Sequence, residues 1–111
     1  MIGAILGLGL VAAALAQNSI VEYDPAKPAT KQGFVTKVDW EAIQVLVHFD
    51  VKDARTGAIE NWVCEIGPPH LARNFGFTKD TLKVGEGILV TGILARDGSL
   101  RLKFVRGPAQ R

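Results

Sequence analysis

The sequence predicts a mainly β domain with one short helix. Two observations in the body of the chain carry this, and a third sets its surroundings. Five runs alternate between apolar and polar residues with period two. A single segment, begun by prolines and stopped by glycine, falls between the third and fourth runs. Before all of them lies an uncharged apolar stretch, with no Asp, Glu, Lys or Arg ahead of Glu22. At 111 residues, 48% hydrophobic, with 12 glycines and 5 prolines, the chain suits one small domain and excludes a second.

The opening stretch from Ile2 to Leu15 contains only Ile, Leu, Val, Ala and Gly, so it is expected to enter a membrane as an apolar helix. Ala14-Leu15-Ala16 offers the small-x-small pattern of a signal-peptidase site and would leave Gln17 as the mature N-terminus. A retained anchor is the competing expectation: no basic residue follows Met1, and Gly3 and Gly7 form a G-x-x-x-G helix-packing pattern. The 16 residues before Gln17 fall short of the ~20 that a span needs, which favours cleavage. Either route delivers the domain to the periplasm, free or anchored in the inner membrane. The domain's partners are then expected among membrane or periplasmic proteins, with residues 1–16 contacting lipid if uncleaved.

Tyr23 to Thr30 carries Asp24-Pro25 and Lys27-Pro28, so residues 17–32 are expected to form a proline-containing linker. The β domain is then residues 33–106, and 107–111 a C-terminal tail. Its first strand opens at Phe34, where Phe34, Thr36, Val38 and Trp40 alternate with Val35, Lys37 and Asp39. Ile43, Val45, Val47, Phe49 and Val51 form the clearest strand face in the chain. Asp53 to Gly57 is a turn, and Ala58, Trp62, Cys64 and Ile66 mark a third strand. Gly67-Pro68-Pro69 ends it, and His70 to Phe75 followed by Gly76 reads as a short helix. Ile88 to Ala95, the turn Arg96-Asp97-Gly98-Ser99, and Leu100, Leu102 and Phe104 complete a hairpin. This order of elements is that of an OB-like small barrel, which is the expected fold; the competing expectation is an open five-stranded antiparallel sheet with the helix covering one end.

The formal charge of +2 signals no polyanion partner by itself. Nor do the outward positions of the second and third strands, Gln44, Leu46, His48 and Asp50 with Ile59, Asn61, Val63 and Glu65, offer aromatics on which bases could stack. Nucleic acid is therefore not expected. Basic residues do gather late in the chain: residues 96–111 hold five against one acid, and Arg96, Arg101, Lys103 and Arg106 are expected to line a charged edge strand, a surface for an acidic partner or lipid headgroups. No cofactor is implied. His48, His70 and Cys64 do not stand at metal-site spacings, and the carboxylates Asp39, Glu41 and Glu65 form no recognisable acid/base pair. Cys64, alone in an alternating apolar run, reads as a buried small hydrophobe. The chain carries no G-x-S-x-G, P-loop or H-E-x-x-H motif, so catalysis is not expected. Two functions follow: a non-catalytic accessory module of a membrane-associated complex, with Gln44, His48 and the basic residues as partner surface, or a free periplasmic small-ligand protein with a barrel mouth near Trp40, Gln44, His48 and Trp62.

Several blocks together, Gly33 to Trp40, Phe49 to Asp53, Asn61 to Gly67, Gly76 to Gly85 and Val90-Thr91-Gly92, resemble the DUF6152 family of exported bacterial proteins. The resemblance runs from about Tyr23 to Phe104. It implies export, and no established activity comes with it. Family members typically begin the mature chain with His-His-Ser and carry Asn-Pro-His after the Trp of the first strand. Here Gln17-Asn18-Ser19 and Ala42-Ile43-Gln44 stand at those places. A chain without those histidines is expected to serve as a scaffold.

Overall fold

The computed structural model describes residues 21–106. The apolar segment with Gly3 and Gly7, and the tail from 107, lie outside the described residues. Among the described residues no helix is long and apolar enough to cross a membrane.

Five strands, β1 (Tyr23–Trp40), β2 (Val45–Lys52), β3 (Ile59–Gly67), β4 (Gly87–Ala95) and β5 (Arg101–Arg106), and one helix, α1 (Pro69–Asn74), make up the fold. The strands close into a barrel in the order β1-β2-β3-β5-β4. Neighbouring strands are antiparallel except β3 and β5, whose parallel pairing sets Val63 opposite Arg101 and Glu65 opposite Lys103. With the helix between β3 and β4, this is an OB-type barrel, and of the two architectures the sequence allowed, the closed one is observed.

The expected linker is corrected: from Tyr23 the chain is already strand. β1 pairs with β4 over Tyr23–Phe34 and with β2 over Phe34–Trp40. Pro25 can be accommodated because the register shifts between Tyr23 and Pro28, and a bulge there asks nothing of the missing amide hydrogens. A second irregularity between Val35 and Lys37 changes the phase of the alternation. Val35 is buried, Val38 and Trp40 pack against the core, and Phe34 is 63% exposed, so Phe34 does not share a face with Trp40.

β2 begins at Val45, two residues later than the alternation suggests, because Glu41 and Gln44 exchange backbone hydrogen bonds of 3.2 Å and close the hairpin before it. Ile43 sits at its tip, exposed. The next hairpin is held by Asp53, whose Oδ1 accepts from the amides of Arg55 (2.8 Å) and Thr56 (3.1 Å). Asp97 does the same for Ser99 between β4 and β5.

The interior is filled by Val45, Val47 and Phe49 of β2, Trp62, Cys64 and Ile66 of β3, Ile88 and Val90 of β4, and Leu102 and Phe104 of β5. Pro69 opens α1 with its fixed φ. The helix then delivers Phe75 and Phe77 edge-on to Phe104, with ring centroids 4.8 and 5.3 Å away. Among the described residues no polar or charged side chain is buried. Two glycines let strands approach: a Cβ on Gly33 would strike the carbonyl of Asp50, and one on Gly92 the carbonyl of Lys103.

Candidate functional site

With the interior apolar, the chemistry of the described residues stands on the outer wall. Pairing aligns it in two rows across the strands: Lys37, His48, Val63 and Arg101 in one, Asp39, Leu46, Glu65 and Lys103 in the other. The alternation puts the polar residues of β2 and β3 outward while their neighbours Val47, Phe49, Trp62 and Cys64 fill the core.

At one end of the rows the Asp39 carboxylate is 3.0 Å from His48 Nε2 and 3.5 Å from Lys37 Nζ. The His48 hydrogen bond, with the Lys37 charge beside it, holds the Asp39 carboxyl below the usual range. At the other end the Tyr23 hydroxyl donates to Glu65 Oε1 at 2.6 Å and accepts from Arg101 Nε at 3.2 Å. Arg101 Nη2 lies 3.6 Å from the same Glu65 oxygen. Between the two ionic clusters Leu46 and Val63 form a half-buried apolar strip.

Tyr23 is pushed up to about 12, first by burial and then by its bond to Glu65. It is the chain's only tyrosine, so an absorbance titration should show one phenolate transition near that value in the folded protein. The folded state holds the phenolic proton more tightly than the unfolded chain, whose tyrosine titrates near 10. This part of the stability is therefore intact below pH 10 and declines as the pH rises toward 12. Unfolding midpoints measured across that interval should fall for the wild type and fall less for Tyr23→Phe.

The basic residues do not form one edge. β5 is laddered on both sides, to β3 and β4, so it is no edge strand. Arg101 is engaged with Tyr23 and Glu65, Arg96 lies 3.7 Å from Glu22 across the start of β1, Lys103 stands opposite Glu65, and Arg106 pairs with Thr91. The expected barrel mouth is likewise corrected. Gln44 closes the β1–β2 hairpin beside Trp40, His48 faces outward, and Trp62 points into the core four residues along β2's ladder, opposite Phe49. Gln44 thus lies in the β1–β2 turn and His48 on the outer wall, whereas Trp62 is part of the core.

His70 is exposed on α1. Among the described residues no group of three or more His, Cys, Asp or Glu side chains is placed to hold a metal ion. Cys64 is fully buried, and burial pushes its thiol up to about 12. It should resist alkylation in the native protein and react only on unfolding, with a labelling rate that follows the unfolding rate. Labelling of the native state at the speed of a free thiol would contradict this placement.

The geometry defines a small closed OB-type barrel with a filled core and a charge-bordered outer wall. By sequence the chain belongs to DUF6152, a family of unknown function, whose model matches residues 6–102. No curated protein matches the chain. Among solved structures it is similar to a chain in the crystal structure of yeast Stn1 and Ten1, with 14% identity and a TM-score of 0.48. That match covers 69% of this chain and 39% of the other, so this chain spans well under half its length.

Proposed function

We propose that the protein is a non-catalytic module working outside the cytoplasm, a small accessory subunit that binds other membrane or periplasmic proteins through the outside of its barrel. The observation that carries this reading is the division of the fold, among the described residues, into a core without buried polar side chains and a wall on which polar groups are already tied to one another. Tethered side chains lose little further freedom on association, which suits a binding surface. The apolar stretch Ile2 to Leu15 supports export.

Fractionation followed by intact-mass measurement on the native protein tests the location. Recovery from the periplasm with Gln17 first indicates a released module, and recovery from the inner membrane with Met1 retained indicates an anchored one. A complete chain dissolved in the cytosol would overturn the reading.

A further inference from the structure

The β1–β2 ladder stops at the Phe34–Asp50 pair. Below it, Gln32, Lys31 and Thr30 follow β4, opposite Leu89, Val90 and Thr91, while Val51 and Lys52 follow β3, opposite Glu60 and Ile59. The two strands separate into a V. Within it the residues of both strands are laddered on one side only among the described residues, so each turns a short backbone edge toward the gap.

The gap is a cleft of about 690 Å³, lined among others by Thr30, Gln32, Phe34, Val51, Lys52 and Ile59. Phe34 and Ile59, 63% and 58% exposed, are the large apolar groups beside it. Lys31 also lines the cleft, with its Nζ 4.5 Å from the ring centroid of the buried Trp62. Asp50 is the acidic residue in the lining, and its carboxylate already accepts a hydrogen bond from the Asn61 side chain. Lys31 and Lys52 are thus the basic residues of the lining and Asp50 its carboxylate, while the Lys31 charge also acts on Asp53 beyond the lining.

We propose that this cleft receives an extended peptide segment of a partner protein, carrying an apolar side chain flanked by carboxylates. Its main chain would pair with the strand edges, its apolar side chain would cover Phe34 and Ile59, and its carboxylates would meet Lys31 and Lys52. The strand edges favour a peptide over a lipid, whose acyl chain would leave them unused. The proposal rests on the protein-binding reading above and names the chemistry of what is bound.

The test is fluorescence anisotropy of the full-length protein with a labelled peptide, Glu-Glu-Phe-Val-Glu-Glu, beside a control in which lysines replace the glutamates. Saturable binding of the acidic peptide is expected. Both Phe34→Ser and Lys52→Glu should weaken it by about tenfold or more, and added salt should weaken it further. The exposed Lys79→Glu, outside the cleft, should not change it. Circular dichroism melts establish that each variant is folded, and these positions are exposed enough to tolerate change. Equal binding of the two peptides, insensitivity to Phe34→Ser, absence of saturable binding, or binding only to phosphatidylglycerol vesicles would overturn the assignment. Photo-crosslinkers at position 34 in the cleft and, separately, at position 48 on the outer wall, used in cells, separate the two levels. Specific adducts from position 48 with a negative peptide result remove the cleft and leave the binding module, whereas no adduct from 34 or 48 removes both.

Discussion

Phe49→Ala is expected to lower the unfolding free energy by about 4 kcal/mol. Phe49 is completely buried at the centre of β2, paired with Trp62 on one side and Val35 on the other, among the largest side chains withdrawn from solvent. Truncation removes the transfer free energy of the ring and leaves a hole that the barrel cannot close, because the strands around it are fixed by ladders on both sides. A domain of this size has about 5–15 kcal/mol in all, so the variant should sit near the edge of folding at ambient temperature. Urea unfolding reads this directly. Phe49→Leu, which refills most of the space, should lose only about 1 kcal/mol. A loss below about 2 kcal/mol for the alanine variant would mean that the core at this point is not solidly packed.

The second large effect is expected at Gly33. It is buried at the corner where β1 passes from β4 to β2, and it does not need a left-handed backbone. It needs room: an alanine Cβ would run into the Asp50 carbonyl and come within 3.3 Å of Phe49 Cδ2. Backbone is the obstacle, so the clash cannot be relieved by a change of rotamer. Gly33→Ala should lower stability by about 2–3 kcal/mol and the Tm by about ten degrees or more. A thermal melt unchanged from wild type would show that the two strands can move apart at this corner.

How much of this was legible in the sequence varied with how regular each element is. β2 and β3 were readable because Val45, Val47, Phe49 and Val51, then Trp62, Cys64 and Ile66, alternate without a break. α1 was readable from Pro68-Pro69 and Gly76. β1 was half hidden. Its prolines argue against strand, and only the register shift near them makes strand possible, while the bulge after Val35 moves Phe34 outward against the apparent period. Of the candidate residues, His48 and Arg101 stand outside the core, and their partners depend on closure. Tyr23, Glu65 and Arg101 are 42 and 78 positions apart along the chain where they bond, a separation no local pattern reports. The divergence of β1 from β2 around Lys31 and Lys52 was invisible for the same reason, since it arises from which strand each half of β1 chooses.

The parallel seam between β3 and β5 has a consequence for the order of events during synthesis. A chain emerging from its N-terminus can form the β1–β2 and β2–β3 hairpins early, because their pairings are local. It cannot complete the ring until residues 101–106 arrive to bridge β3 and β4. Pairings of such long sequence separation are slow to form, on the scale of roughly milliseconds to seconds. Until then β3 and β4 each keep an unpaired backbone edge, so the last strand to be made is the one that seals the ring.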